Sequence, residues 1–219
     1  MGRSASPSHR KAKSKAQLAR PAPHRLCRSR FLIVCEGSKT EPNYFRDLKD
    51  DLGLTNTDVE ICGDCGSAPR SVVDRALELF AIDPSFDCIF CVFDKDTHTT
   101  YSEAIDLVSN KKMPSGKKIK AIKSIPCFEY WILLHFEYTC SSFVASGGRS
   151  AADNVVRALK RHMPNYRKSA PDLFSSLKPH SGEARKRSAQ AIAETLATGS
   201  DNPSSEIHIL IDTLAKSLL

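Results

Sequence analysis

Apolar residues in the first 125 positions fall into short continuous runs, separated by longer stretches in which they recur at helical spacing. Continuous runs rich in β-branched and aromatic residues are typical of strands that are buried on both faces. Such runs predict strands in FLIVC, DVEIC, DCIFCVFD and KIKAIKSI. In the last run lysines alternate with apolar residues, which predicts a strand at the edge of the sheet.

The stretches between these runs have the start and stop signals of helices. TEPNYFRDLKDDLG places Pro42 where a first helical turn accepts proline and Gly53 where a helix ends. APRSVVDRALELFAI has apolar residues on one helical face, and TYSEAIDLV opens with Thr100 and Glu103 in capping-box spacing. Strands that alternate with helices predict an α/β fold, with a mostly parallel sheet flanked by helices.

After residue 125 the strand pattern gives way to helical spacing, which predicts a C-terminal helical appendage. The expected helices cover residues 126–138, 149–162, 182–197 and 204–218. The chain is therefore expected to divide into a tail, a core and a helical region packed on the core. The boundaries of these parts are 1–29, 30–140 and 141–219.

The formal charge of +7 is concentrated at the start of the chain. Residues 1–30 contain nine Lys or Arg and no acidic residue, which leaves 23 basic and 25 acidic side chains in the remainder. Because the tail is rich in Ser, Ala and Pro and poor in apolar residues, we expect a disordered basic arm that favours polyanions. No apolar run is long enough to span a membrane, and we expect a soluble, cytoplasmic protein.

Two of the predicted strands end on carboxylates. Glu36 follows FLIVC and precedes Gly37, and Asp94 and Asp96 follow the strand in DCIFCVFD. In parallel sheets ligands bind beyond the carboxyl ends of the strands. If the two strands are neighbours, the carboxylates converge and repel one another by about 1–4 kcal/mol per close pair, which a divalent cation would relieve. An all-oxygen ligand set favours Mg²⁺ or Mn²⁺.

The chain has eight cysteines, and four of them form two CxxC pairs. Cys88 and Cys91 lie on a predicted strand, where positions three apart point to opposite faces and cannot bind one ion together. Cys62 and Cys65 form the other pair, in CGDC. We expect mostly buried, reduced thiols rather than a structural zinc site, although zinc binding by these pairs stays open.

The segment SIPCFEYWILLHFEYT combines an apolar helical face with two polar residues. Phe128, Trp131, Ile132 and His135 share one face of the predicted helix, and such a stripe is typical of the core. Glu129 and His135 are polar residues on an otherwise apolar helix, where they either cost stability or take part in chemistry.

Five segments together resemble the RloB-like family. They are EGSKTEPNYF, FDKD, SIPCFEYWILLHF, YRK and NPSSEIHILIDTL, in this order, and the likeness runs from about residue 30 to 215. VCEGSKTEPNYF and VFDKDTH also resemble the TOPRIM signature, a glutamate after one strand and Asp-x-Asp after a later one. The family tends to have Ser-Asn-Pro where this chain has Ser124-Ile125-Pro126.

The resemblance implies a TOPRIM-like fold and a metal-dependent nuclease of RNA or DNA, with tRNA as one possible substrate. It further implies a role in bacterial anti-phage defence or abortive infection beside an ABC-type ATPase. Since the chain has no G-x-x-x-x-G-K-[ST] motif, ATP hydrolysis would come from that partner.

The same resemblance implies roles for individual residues. Asp94 and Asp96 would hold the metal, and Glu36 would be a general base, a general acid or a further ligand. Glu129 would be an additional ligand of the metal or of water, and His135 would lie near the scissile phosphate.

Basic residues beside these motifs and in two charged stretches are candidates for binding nucleic acid. The stretches are NKKMPSGKKIKAIK and EARKRS, although charge runs of this kind are usually solvated faces. The candidates are Lys39, Lys95, Lys117, Lys118, Arg185, Lys186 and Arg187.

Other functions fit parts of the sequence. FDKDT resembles the motif of aspartyl-phosphate phosphatases, but His98 stands where that motif has Thr or Val. A catalytically idle module that binds nucleic acid or docks on an ATPase is the main alternative, and the intact set of Glu36, Asp94 and Asp96 argues against it. Primase or topoisomerase chemistry would need further domains.

Overall fold

A computed structural model describes residues 29–66, 68–95, 99–170 and 172–218. Apart from Ser29, the predicted basic tail lies outside the described residues, as does Asp96. No helix in the described residues is both long and apolar enough to cross a membrane.

The centre of the molecule is a five-stranded sheet in the order β2-β1-β3-β4-β5. The first four strands are parallel, whereas β5 pairs antiparallel with the end of β4. The strands are β1 (Phe31–Cys35), β2 (Val59–Cys62), β3 (Cys88–Asp94), β4 (Lys118–Ile125) and β5 (Ser204–Ser205). The α/β fold and the first four strands are thus confirmed.

The prediction that β4 ends the sheet is wrong at its carboxyl end. Ser205 and Ser204 pair there with Ser124 and Ile125. A strand of two serines has no apolar pattern, so hydrophobic periodicity could not reveal it.

Helices connect the parallel strands as the sequence predicted. They are α1 (Thr40–Asp51), α2 (Pro69–Ile82) and α3 (Tyr101–Asn110). Gly53 follows the end of α1 with φ 67°, a left-handed conformation that favours glycine. The predicted capping box at Thr100 is wrong, because this residue makes no side-chain capping bond within the described residues and Glu103 pairs with Arg70.

The C-terminal helices differ in length from the predicted ones. They are α4 (Glu129–Leu133), α5 (Ala151–Leu159), α6 (Leu173–Leu177), α7 (Ser181–Thr198) and α8 (Ile207–Lys216). Helix α4 is much shorter than predicted, since the backbone N–H groups of His135 and Phe136 bond to carbonyls three residues back. These tight turns replace the α-helical pattern beyond Leu133. Helix α6 was not predicted.

The two faces of the sheet contact two separate cores. One core joins Ile33, Phe90 and Val92 to α1 and the C-terminal helices, and the other joins Val34 and Cys91 to α2 and α3. Cys88 belongs to the first core and Cys91 to the second, which confirms that they point to opposite faces.

Polar contacts within the C-terminal region hold α7, β5 and α8 together. The Ser188 hydroxyl lies 2.6 Å from the Ser205 carbonyl oxygen, to which it donates, and 2.8 Å from Nδ1 of His208. Arg185 on α7 forms an ion pair with Asp212 on α8. Since Ser188 is fully buried, its hydroxyl stabilises the packing of α7 against β5 and α8 and does not act as a nucleophile.

Replacement of Ser188 by alanine should destabilise the fold. The change removes the buried hydroxyl that bonds both the Ser205 carbonyl and His208, which should cost about 1–3 kcal/mol. Urea unfolding of Ser188→Ala would measure the loss. The matched control is Ser176→Ala on the surface of α6, which should stay within about 0.5 kcal/mol of the wild type. Equal stability of both variants would contradict a structural role of the Ser188 hydroxyl.

Candidate active site

The site forms where the chain connections leave the sheet in opposite directions. From β1 the chain passes to β2 on one side, and from β3 it passes to β4 on the other, although β1 and β3 are neighbours. Such a switch point opens a crevice beyond the carboxyl ends of the two strands. Glu36 is the first residue after β1, and Asp94 is the last residue of β3.

Hydrogen bonds hold the ends of the two strands together. The Glu36 N–H donates to the Val92 carbonyl at 3.0 Å, which continues the β1–β3 ladder by one residue. The Asp94 N–H donates to Oε2 of Glu36 at 3.2 Å. The predicted convergence of Glu36 and Asp94 is therefore present in the structure.

Gly37 lies in the turn from β1 into α1, beside a third carboxylate, that of Glu41. A Cβ atom at this position would lie 2.9 Å from Cδ of Glu41, closer than side-chain atoms normally approach. Helix α1 begins at Thr40, so its unpaired backbone N–H groups and the positive end of its dipole face the same crevice.

A cavity of about 220 Å³ occupies this crevice. It is lined by residues 37–41, by Asp94, by Phe128 and Glu129, and by Lys168 with Ser169. The lining therefore combines carboxylates, two lysines and a helix N-terminus.

Glu129 reaches the cavity from the start of α4. This carboxylate is almost fully buried and has two partners. It accepts a hydrogen bond from the Tyr166 hydroxyl at 3.2 Å and lies 3.4 Å from Nζ of Lys168. The Ser169 N–H donates to Oγ1 of Thr40, which ties the loop that carries Lys168 to the start of α1. The loop after α5 thus completes one wall of the site.

The carboxylates raise one another's pKa values. Burial raises the pKa of Asp94 well above its usual range, and the charges of Glu41, Glu129 and Glu36 raise it further. Burial also raises the pKa of Glu41, with Glu129 acting in the same direction and Lys168 against it. Burial acts to lower the pKa of Lys168, but the Glu129 carboxylate outweighs it and the pKa is raised. The site therefore has an excess of negative charge.

The donor chemistry of this crevice fits a hard divalent cation. Glu36 and Asp94 offer carboxylate oxygens beside further negative charge, which is the environment that Mg²⁺ or Mn²⁺ prefers. Within the described residues, no three His, Cys, Asp or Glu side chains are grouped closely enough to hold an ion. Asp96, the third residue of the predicted ligand set, lies outside these residues.

The sequence model of one protein family, described as RloB-like protein, matches residues 31–214. This chain belongs to the RloB-like family. The matched range contains both strand ends at the crevice, Glu129 and the Lys168 loop. No curated protein and no solved structure matches the chain.

The remaining residues of the SIPCFEYWILLHF segment lie in the core. Phe128, Trp131 and Ile132 are almost completely buried, which confirms the stripe as core. His135 is also buried, and its Nδ1 bonds to the carbonyls of Trp131 and Ile132. Burial lowers the pKa of His135 to about 4, so the ring is neutral at pH 7. His135 does not line the cavity, so its proposed place near the scissile phosphate lacks support in this structure.

The predicted nucleic-acid-binding lysines of the core occupy three different places. Lys39 lines the cavity. Lys95 pairs with Asp201 at 2.6 Å. Lys117 pairs with Asp87 before the start of β4, and Lys118 begins that strand. At about 3.3 Å per residue, Lys118 is roughly 20 Å from the carboxyl end of β4, so it could touch only a distant part of a bound polymer.

The predicted basic stretch of α7 is largely engaged in internal contacts. Arg185 pairs with Asp212, and Arg187 donates to the Leu134 carbonyl at 2.9 Å. Lys186 pairs with Glu183 at 2.8 Å. The contacts of Arg185 and Arg187 hold α7 against neighbouring segments, which is a structural role that the charge pattern did not indicate.

The structure adds Glu41, Tyr166 and Lys168 to the candidate site. Tyr166 and Lys168 belong to the YRK segment through which the sequence resembles the RloB-like family, but that resemblance gave them no role. Their distance along the chain from Glu36 and Asp94 hid their common location.

The raised pKa of Asp94 gives the metal-free protein a specific pH dependence. An acid with a raised pKa in the folded state stabilises the fold below its unfolded pKa, about 3.9, and this contribution is lost as pH rises through the folded pKa. We therefore expect Asp94→Asn to become more stable than the wild type as pH rises from about 4 to 8, by at least about 1 kcal/mol.

Thermal or urea unfolding across this pH range, in the presence of a chelator, would measure the difference. Asp106→Asn on the exposed face of α3 is the matched control and should follow the wild type. Added Mg²⁺ should stabilise the wild type at high pH more than Asp94→Asn. Parallel pH curves for all three proteins would contradict the electrostatic description of the site.

Proposed function

We propose that this RloB-like protein is a divalent-metal-dependent nuclease that hydrolyses phosphodiester bonds of RNA or DNA. The observation that supports it most is the convergence of Glu36 and Asp94 at the switch point, where Asp94 lines a cavity together with the N-terminus of α1. Hydrolysis of a phosphodiester requires positive charge to bind the phosphate and a carboxylate that can accept a proton from the attacking water.

Each group at the cavity has a chemical task in this proposal. Glu36 takes a proton from the attacking water, and the N-terminus of α1 and Lys168 bind phosphate oxygens. Tyr166 keeps Glu129 oriented through its hydrogen bond. Asp94 and Asp96, with Glu36, would hold Mg²⁺ or Mn²⁺, which supplies charge against the phosphate and an activated water.

The family resemblance supports the wider biological proposal. We propose that the nuclease acts as an anti-phage effector, with tRNA as one candidate substrate, and that an ABC-type ATPase controls it. The chain contains no P-loop motif, so the nucleotide-driven step is assigned to the partner.

A second candidate is a module that binds nucleic acid or docks on an ATPase without catalysis. The helix N-terminus and Lys168 at the cavity favour it, because they would bind a phosphate group without any catalysis. The two functions differ in what neutralising Glu36 does, since only the nuclease would lose an activity.

Glu36→Gln should reduce cleavage by about 10²–10⁴-fold, because it removes the proton acceptor while it keeps the size of the side chain. The assay combines the protein, with and without a co-purifying ATPase, with total tRNA, single-stranded DNA and duplex DNA under Mg²⁺ or Mn²⁺. Glu60→Gln, on the exposed side of β2, is the matched control and should retain full activity. If the wild type cuts nothing even with the ATPase, and binds nucleic acid as Glu36→Gln does, the docking module is the correct function.

Lys168→Met should lower kcat/KM by at least about tenfold, less than the roughly 10²–10³ of a fully enclosed donor because this side chain is mostly exposed. Lys160→Met, at the end of α5, removes the same charge from the same region and should have little effect. Steady-state cleavage of a defined oligonucleotide would measure both. Equal losses of kcat/KM in the two variants would show that cleavage depends on the net charge of this region and not on the position of Lys168.

A further inference from the structure

Two cysteines meet in the loop that follows β2. Cys62 ends the strand, the chain turns through Gly63 and Asp64, and the sulfur of Cys65 lies 3.5 Å from that of Cys62. Asp64 has φ 63°, a left-handed conformation that is uncommon outside glycine. Both cysteines are partly exposed, so a small oxidant can reach them.

The surroundings distinguish the two sulfur atoms. Glu78, to which Arg75 donates a hydrogen bond, and then the neighbouring Cys62 raise the pKa of Arg75, so this cation lies near the pair. Burial and the adjacent Cys62 raise the pKa of Cys65 to about 12. Because the thiolate is the reactive form of cysteine, the raised pKa of Cys65 leaves Cys62 as the attacking sulfur of the pair.

The nearby cysteines of the strands are different in kind. Burial raises the pKa of Cys35 well above its usual range and also raises that of Cys91. Both are fully buried and are therefore inert in the folded protein. Among the cysteines of β1, β2 and β3, the partly exposed thiol is the one at the end of β2.

The dithiol loop contacts the turn that leads into the candidate active site. A Cβ atom on Gly63 would lie 2.8 Å from the Gly37 carbonyl oxygen and 2.6 Å from Cγ of Pro42. No side chain larger than hydrogen fits between these segments without movement. Gly63 is therefore packed closely against Gly37 and Pro42.

We propose that Cys62 and Cys65 are a peroxide-oxidisable dithiol that is coupled to the turn containing Gly37. The Cys62 thiolate attacks hydrogen peroxide, which gives a sulfenic acid at Cys62 and releases hydroxide. The Cys65 sulfur then attacks the Cys62 sulfur, forms the disulfide and releases the oxygen as water, with its own proton lost to solvent. Two thiols lose two electrons and two protons, and one peroxide becomes two waters.

Formation of the disulfide changes the geometry of the loop. The two sulfur atoms approach from 3.5 Å to about 2.0 Å, which draws the backbone on either side of Gly63 together. Because Gly63 abuts Gly37 and Pro42, the oxidised loop alters the turn between β1 and α1. The dithiol chemistry does not depend on the proposed nuclease activity.

Peroxide titration followed by mass spectrometry tests the chemistry without any nucleic acid. The wild type should lose about 2 Da as one disulfide forms between Cys62 and Cys65. Cys65→Ser should stop at a sulfenic acid on Cys62 that dimedone traps, and Cys62→Ser should give neither product. Cys140→Ser, which removes an exposed cysteine elsewhere, should behave as the wild type. Oxidation of Cys140 at peroxide concentrations that leave Cys62 and Cys65 reduced would overturn the proposal.

Hydrogen exchange tests the coupling. Amide exchange of residues 37–41 should differ at least about twofold between the reduced and the oxidised wild type and should not change in Cys62→Ser. Formation of the disulfide with unchanged exchange in this turn would overturn the coupling. Neither readout uses cleavage, so failure of the nuclease proposal would be seen separately.

Discussion

The parallel pairing of β1 with β3 is the interaction on which the rest of the structure depends. It brings two strand ends together that are far apart in sequence, and the ladder continues until the Glu36 N–H bonds to Val92. The Asp94 N–H then donates to Glu36 itself. A shift of one residue in this register would move the side chains of the shifted strand to the opposite face of the sheet. It would also separate the two acids.

The placement of these acids has an electrostatic cost that the fold only partly offsets. Lys168 and the N-terminus of α1 bring positive charge to the crevice, yet the pKa values of Asp94 and Glu41 are raised. A protein selected only for stability would have no reason to keep Glu41 above Gly37 or Glu129 among buried residues. An excess of buried negative charge is typical of a site whose function requires a cation or a proton.

The sequence predicted the parts of the site that depend on strand ends and turn residues. Glu36 and Asp94 could be recognised because each follows a buried apolar strand, and a parallel sheet has one carboxyl edge. Lys168 and Tyr166 could not, because their position depends on the conformation of a loop in which Ser169 is left-handed. Arg185 and Arg187 were candidates for binding nucleic acid because charge patterns do not reveal internal partners.

The position of Lys168 also shows that the C-terminal helical region forms part of the candidate site. A boundary near residue 140 separates the sheet from the helices by composition, but Tyr166 and Lys168 contact Glu129 across it. The core on this face of the sheet likewise contains residues from β1 and β3 together with α5, α7 and α8. Since one wall of the cavity comes from each side of that boundary, the helical region is a structural component of the site. An effector that moved α5 or the loop after it would therefore act directly on the charge balance around Asp94.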